Sequence, residues 1–151
     1  MKTLWFTLLM LAWTYLAGAM TVDTAAEAAR IRQTIQTSYV EGLQNEGDTV
    51  KINAGFHPGF EMLMLMKDGP LSNYSLTEWK ARIRKEQAEG RLPRKGDNLV
   101  TVRFINVDVT LNAAMAKFGF YIGDKLTFID YMSLYKFGDT WKIVSKTYQK
   151  L

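Results

Sequence analysis

The sequence has no cysteine and a single histidine, His57. Without cysteine the chain can form no disulfide framework and has no residue for lipoprotein attachment. A zinc site normally needs three or four His, Cys or acidic ligands, so one histidine without cysteine falls short of one. The chain also lacks a Gly-rich phosphate loop, a nucleophile elbow and a helix with histidines four residues apart. We therefore expect no bound metal and no cofactor.

Long apolar runs are also scarce, and the one at the N-terminus has the features of an export signal. Lys2 gives a short positive region, and Leu4–Leu16 is apolar apart from threonines and is followed by the small-x-small pattern Ala17–Ala19. The run is short for a membrane span of roughly 20 residues, and no basic stop-transfer cluster follows it. The pattern predicts a signal peptide over residues 1–19, cleaved before Met20, and an exported protein, periplasmic or secreted, without a stable membrane anchor.

The remaining residues 20–151 are about the size of one domain that can bury a core without covalent staples. The whole chain carries 19 Lys and Arg against 15 Asp and Glu, a net charge of +4. Loss of Lys2 with the signal leaves 18 basic residues against 15 acidic ones, a net charge of +3. This small basic excess in an exported protein gives little support to a nucleic-acid partner, and we expect none.

Caps and apolar spacing predict three helices before residue 90. Thr24 and Glu27 match a capping box, which satisfies free N–H groups at a helix start. Gly47 is placed to end this first helix. Asp48 is placed to cap a second, short helix, and Ser75 with Glu78 forms a capping box for a third. The first helix carries an apolar stripe at four-residue steps, expected to lie on a sheet. The stripe consists of Ile31, Ile35, Tyr39 and Leu43.

From residue 99 onward, strands and short turns alternate, which predicts an antiparallel meander of four strands. One earlier strand, Phe60–Met66, is predicted after a turn at Phe56–Phe60. The apolar residues of the first meander strand switch faces, which predicts a bulge near Phe104–Asn106. Helices followed by a meander indicate an α+β fold. The meander strands are predicted as Leu99–Leu111, Ala114–Ile122, Leu126–Phe137 and Trp141–Tyr148.

The strand Leu126–Phe137 is mostly apolar on both faces, as expected of a strand covered on both sides. Asp130 stands in its middle, although aspartate is depleted from strands and costly to bury as a lone charge. A carboxylate there needs partners, a raised pKa or a ligand. Alternation places Phe128, Asp130, Met132 and Leu134 on one face and Ile129, Tyr131, Ser133 and Tyr135 on the other.

The order of these elements, with a Phe-His-Pro turn after the first helices, resembles the nuclear transport factor 2-like (NTF2-like) superfamily. Within it, the chain resembles the family named for putative lumazine binding, over about residues 27–148. The segments that carry the resemblance are Gly42-Leu43, Gly47-Asp48, Phe56-His57-Pro58, Ala114–Lys117, Phe128–Leu134 and Trp141–Lys146.

The resemblance implies a cone-shaped, curved antiparallel sheet (a cystatin-like roll) with the N-terminal helices packed on its concave face. It also implies a ligand pocket at the wide end of the cone, and homodimers through the convex face of the sheet. A dimer would explain why Leu126–Phe137 is apolar on both faces, with Tyr131 and Tyr135 near the interface.

Three hypotheses about function follow. The leading one is a non-catalytic domain that binds a small apolar or planar molecule in the cone. The second is a small isomerase-, cyclase- or dehydratase-like enzyme in which His57 and Asp130 transfer protons at the pocket. The alternative reading of these two residues is structural: they hydrogen-bond each other or the backbone and hold the turn to the sheet. The third is a dimeric accessory or scaffold domain. The residues expected to bind the ligand are Tyr39, His57, Met62, Met64, Trp79, Phe118, Phe128, Asp130 and Met132.

Overall fold

The computed structural model describes residues 23–151, so the export signal predicted for residues 1–19 lies outside the described residues. The first helix, α1, spans Thr24–Thr34, and its N-cap is Asp23, whose carboxylate accepts hydrogen bonds from the N–H groups of Ala25 and Ala26. The predicted capping box of Thr24 and Glu27 is therefore wrong. An aspartate immediately before the helix satisfies the free N–H groups, and Glu27 is left free for other partners.

The chain continues from α1 into a π-helical segment, Ile35–Glu46, in which each hydrogen bond closes over five residues. Gly47 ends this segment as predicted, in the left-handed conformation with a φ of 73°. All four residues of the predicted apolar stripe are buried, with Ile31, Ile35 and Leu43 fully inaccessible and Tyr39 1% exposed. The stripe is confirmed as the face of the helix that meets the sheet.

The other two predicted helix starts are confirmed. Helix α2 spans Thr49–Gly55, and the Asp48 carboxylate accepts hydrogen bonds from two backbone N–H groups of its first turn. Helix α3 spans Leu76–Ala88 and begins with the capping box of Ser75 and Glu78. Such caps form between residues adjacent in sequence, which is why the sequence predicts them well.

Six strands form one curved, open sheet in the order β2-β1-β6-β5-β4-β3. Neighbouring strands are antiparallel except β1 and β6, which run parallel. The meander of β3 to β6 is confirmed, and so is its bulge, a register shift between Phe104 and Asn106. The strands are β1 Phe56–Leu65, β2 Leu71–Ser75, β3 Val100–Thr110, β4 Ala113–Ile122, β5 Lys125–Phe137 and β6 Thr140–Lys150.

Before α3, one prediction is wrong and one strand is not anticipated by the sequence pattern. Residues 56–60 are part of β1 rather than a turn, with an irregular register against β6 between Phe56 and Glu61. Strand β2 was not predicted: it pairs with β1 after the turn at Asp68 and Gly69, with Leu71 opposite Leu65. Leu65 and Leu71 are 80% and 68% exposed, so this edge hairpin carries little of the burial pattern that marks a strand in sequence.

The helices pack on one side of the sheet, α1 against β3 and β6, α2 against β1 and β6, and α3 against β1 and β2. The two faces of β5 differ accordingly: Asp130, Met132 and Leu134 are buried, whereas Tyr131 is 37% and Tyr135 53% exposed. Asp130 therefore lies on the concave, helix-covered face. Within residues 23–151, none of the helices has the length and apolar character needed to cross a membrane.

Candidate functional site

Asp130 is fully buried in the middle of β5. Its Oδ2 atom lies 2.9 Å from Nζ of Lys146 and accepts a 2.8 Å hydrogen bond from the hydroxyl of Tyr39. The other oxygen, Oδ1, is buried and receives no hydrogen bond from the described residues. Asp130 thus anchors a buried polar cluster made from the π-helical segment, β5 and β6.

Lys146 reaches this cluster because β6 contains a bulge. Strict alternation from Trp141 and Ile143, both buried, would place Lys146 on the opposite face of the sheet. The pairing of β5 with β6 shifts between Ser133 and Leu134, which lie opposite Ser145 and Ile143. The extra residue turns Lys146 inward, so that only 6% of its side chain is exposed.

Three aromatic rings surround the Lys146 ammonium group. Its Nζ lies 4.9 Å from the ring centroid of Tyr148, 5.2 Å from that of Tyr39 and 5.8 Å from that of Trp79. Cations are attracted to the faces of aromatic rings at such distances. The ion pair with Asp130 and these rings together replace part of the hydration that Lys146 loses on burial.

Burial dominates the electrostatics of the cluster. It raises the pKa of Asp130 and lowers the pKa of Lys146, because each charged form loses hydration. The contact between Asp130 and Lys146 opposes both shifts, since each charge stabilises the other. Burial, and then the negative charge of Asp130, raise the pKa of Tyr39 well above its usual value, so its hydroxyl acts as a donor.

A cavity of about 270 Å³ lies beside the cluster, inside the cone. Lys146 and Tyr39 form part of its wall, aromatic rings form much of the rest, and two arginines, Arg82 and Arg94, also line it. No Asp or Glu is among its lining residues. The remaining lining residues are Gln44, Met62, Trp79, Phe120, Ile122, Phe128 and Tyr148.

Most of the predicted ligand-binding residues lie in or around this cavity. Tyr39, Met62, Trp79 and Phe128 line it. Asp130 does not line it but contacts two residues that do. Three others belong to the packed core: Phe118 and Met132 are fully buried, and Met64 is half-buried at the edge of that core.

The expected pairing of His57 with Asp130 is wrong. Nδ1 of His57 accepts a hydrogen bond from the Gly59 N–H at 3.1 Å, and its ring stacks on Phe137 with the centroids 4.8 Å apart. Phe137 is seven residues from Asp130 along β5, about 23 Å at roughly 3.3 Å per residue. The unpredicted start of β1 at Phe56 places His57 at that far end of the sheet.

Sequence reasoning missed Lys146, Arg82, Arg94 and Tyr148. Arg94 lies in a polar, basic loop and Arg82 on a helix rich in basic residues, and both patterns favour exposure to solvent over a place in a cavity wall. Lys146 and Tyr148 lie beside the cavity because a bulge in β6 breaks the strict alternation of its faces, and the sequence pattern alone does not reveal that bulge. In residues 23–151 no three His, Asp or Glu side chains converge in a way that could hold a metal ion.

The fold is that of NTF2-like proteins: helices on the concave face of a curved sheet, with a cavity in the cone. Solved structures of three such proteins, each described as of unknown function, resemble the chain. The one from Silicibacter pomeroyi is 21% identical with a TM-score of 0.67, over 85% of this chain and 98% of that one. The one from Shewanella baltica is 18% identical with a TM-score of 0.65, over 84% and 95%. The one from Methylobacillus flagellatus is 17% identical with a TM-score of 0.57, over 88% and 96%.

Within this superfamily, residues 26–149 match the family described as "Putative lumazine-binding", and the chain belongs to it. The resemblance in sequence is thereby confirmed. No curated protein matches the chain.

Proposed function

We propose that the protein binds a small planar molecule, without converting it, in the cavity of the cone. One observation carries the proposal: a cavity of about 270 Å³ is walled by aromatic side chains and has the paired Lys146 and Tyr39 at one side. Ligand sites are typically concave and mostly apolar, with a few placed polar groups. This cavity has that composition.

The walls suit a flat ring. Phe120 and Phe128 meet edge to face with centroids 5.6 Å apart, and Phe128 meets Tyr148 in the same way at 5.4 Å. Aromatic side chains favour such stacked or edge contacts with another ring. The family description supports the proposal, because lumazine is a planar two-ring heterocycle.

The polar groups suit an acceptor on that ring. Lys146 can donate to a ring oxygen or nitrogen while it stays paired with Asp130, because an ammonium group has three donors. Asp130 then acts through Lys146, holding its position and its charge. The structure separates His57 from Asp130, so it gives no support to the enzyme hypothesis in which these two residues transfer protons together.

Lumazine binding, followed by isothermal titration and by the fluorescence of the tryptophans, tests the proposal. Phe128→Ala removes a cavity wall and should weaken binding by roughly tenfold, about 1.4 kcal/mol. The matched control is Tyr131→Ala, three residues along the same strand but on the exposed face. That variant should bind as the unmodified protein does.

Native mass spectrometry of the purified protein complements the titration. A retained small molecule that is lost in Phe128→Ala and kept in Tyr131→Ala supports the proposal even if lumazine is not the natural ligand. Equal behaviour of the two variants, or neither a retained molecule nor binding of lumazine, would contradict it.

A further inference from the structure

We infer that the ligand of this cavity carries one carboxylate, held at the mouth of the cone by the guanidinium group of Arg94 with support from Arg82. This inference rests on the proposed function and specifies the chemical class of the molecule. It is carried by the position of Arg94, by the hydrogen bonds that hold it, and by the balance of charge around the cavity.

Arg94 is fixed from two directions in the loop that follows α3. Its backbone N–H donates to the carbonyl oxygen of Asn45, and its Nε donates to that of Gln44, both at 2.7 Å. Both carbonyl groups lie in the π-helical segment. These hydrogen bonds orient the guanidinium group, so less conformational entropy is lost when it binds a ligand.

The terminal nitrogens of Arg94 remain for a ligand. The side chain of Arg94 donates its hydrogen bond through Nε. Within residues 23–151, no carboxylate forms an ion pair with the Arg94 guanidinium group. Arg94 is only half-buried, and it lines both the cavity and an adjoining hollow of the loop. It therefore lies where the cone opens, with two donors in the geometry that matches a carboxylate.

The charges around the cavity leave one positive charge unmatched. Three cationic side chains line it: Arg82, Arg94 and Lys146. Two of them are paired with carboxylates that do not themselves line the cavity. Glu86 lies 2.8 Å from Nε of Arg82, and Asp130 lies 2.9 Å from Nζ of Lys146. The surplus belongs to Arg94, and a single surplus charge matches a carboxylate better than a doubly charged phosphate.

The two halves of the site then have separate roles. The aromatic walls and Lys146 hold the ring inside the cone, and Arg94 binds the carboxylate at the opening. Arg82 contributes positive electrostatic potential at the cavity but forms no new ion pair with the ligand. Its guanidinium group already faces Glu86, and its side chain is 59% exposed.

A matched pair of ligands tests this assignment: lumazine and lumazine-6-carboxylate, which have the same ring and differ by one carboxylate. Titrations are made at a pH where the lumazine ring is neutral. The unmodified protein should bind the carboxylate roughly tenfold to a hundredfold more tightly, as one charge-assisted hydrogen-bonded contact allows. In Arg94→Gln that preference should disappear, so that the two molecules bind with similar affinity.

Arg91→Gln is the matched control, because Arg91 lies in the same loop but is paired with Glu89 and does not line the cone cavity. It should keep the preference for the carboxylate. Arg94→Lys should keep only part of it, since a lysine retains the charge and loses the fork of two donors.

The outcomes separate the inference from the proposed function. If neither molecule binds, the inference is overturned, and the proposed function fails with it when native mass spectrometry also finds no retained small molecule. If both bind equally, or if Arg91→Gln and Arg94→Gln lose the preference to the same extent, the inference alone is overturned and the ring site stands.

Discussion

Asp130 and Lys146 are opposite charges that are both buried, with 0% and 6% of the residue exposed. Taking two opposite charges out of water costs several kcal/mol per ion, and their attraction offsets this only with good geometry and further hydrogen bonds. Here the 2.9 Å contact, the Tyr39 hydroxyl and the rings around Lys146 supply that compensation. The pair orients groups at the cavity, which a hydrophobic pair of the same size could not do.

The first prediction concerns the stability of this pair. Asp130→Leu and Lys146→Met should each lower the free energy of unfolding by about 3–5 kcal/mol, because each leaves one uncompensated buried charge. The double variant should be more stable than either single one, since both charges are gone. Urea denaturation of the four proteins measures the coupling. Additive losses would mean that the two residues do not interact in solution.

Glu27 forms another buried charged cluster in the part of the chain that the structure describes. One carboxylate oxygen lies 2.9 Å from Nζ of Lys136, and the other accepts a 2.6 Å hydrogen bond from the indole N–H of Trp141. These hydrogen bonds, that of Lys136 first, lower the pKa of Glu27 below its ordinary value of 4.5. The cluster ties α1 to the last two strands of the sheet.

The second prediction follows from the direction of that shift. A carboxylate with a depressed pKa in the folded state stabilises the fold above its ordinary pKa, and this stabilisation is lost as the pH falls through the folded value. Glu27→Gln should therefore be less stable than the unmodified protein above pH 4.5, and the difference should shrink as the pH falls below 4.5. Urea unfolding at a series of pH values gives both curves. A difference that does not change with pH would contradict the assignment.

At the scale of elements, α1 begins beside two residues, Asp23 and Thr24, that are both of a type that can cap a helix. The structure assigns the cap to Asp23, through hydrogen bonds of 3.1 Å to the N–H groups of Ala25 and Ala26. Thr24 is the first helical residue instead. Because α1 carries Glu27 and leads into the segment with Tyr39, its start contributes to the position of the site.

The third prediction compares these two residues. Asp23→Ala should lower the free energy of unfolding by about 1 kcal/mol, the usual cost of losing an N-cap. Thr24→Ala serves as the control and should have almost no effect, because alanine is a good helix former at the first helical position. Thermal and urea unfolding measure both variants. If Thr24→Ala loses more stability than Asp23→Ala, the assignment of the cap to Asp23 is wrong and the capping box expected from the sequence is supported.

At the scale of the whole molecule, the face of the sheet turned away from the helices carries aromatic and apolar side chains that are exposed in the single chain. Tyr131 and Tyr135 of β5 lie opposite Lys117 and Ala113 of β4, with Met115 between them. Tyr131, Tyr135 and Met115 are between 36% and 53% exposed. We propose that a second copy of the chain covers this face, as the sequence resemblance implies.

The fourth prediction is a homodimer through this face, at concentrations of about tens of micromolar. Tyr135→Glu should shift the protein to monomer, because it places a charge in an interface that must bury about 800 Å² per partner. Val50→Glu is the control, since Val50 is 77% exposed on α2. Light scattering coupled to size exclusion gives the molar mass. A monomeric unmodified protein at these concentrations would contradict the prediction.

Much of the fold could be predicted because it depends on local patterns. The caps at Asp48 and Ser75, the end of the helix at Gly47 and the four meander strands all follow from residues adjacent in sequence. Alternation on β5 correctly grouped Asp130 with Met132 and Leu134, all buried. Family resemblance then implied the cone and the cavity.

Tertiary structure decided which polar and charged side chains the site contains. A bulge in β6 turned Lys146 inward against the local alternation, and the irregular start of β1 moved His57 to the far end of the sheet. Arg94 became a cavity residue only because carbonyl groups of the π-helical segment, about 50 residues earlier, hold its loop in place. Residue periodicity reports which face of a strand is buried, but strand register and long-range hydrogen bonds decide which side chains meet, and these depend on contacts between parts of the chain that are distant in sequence.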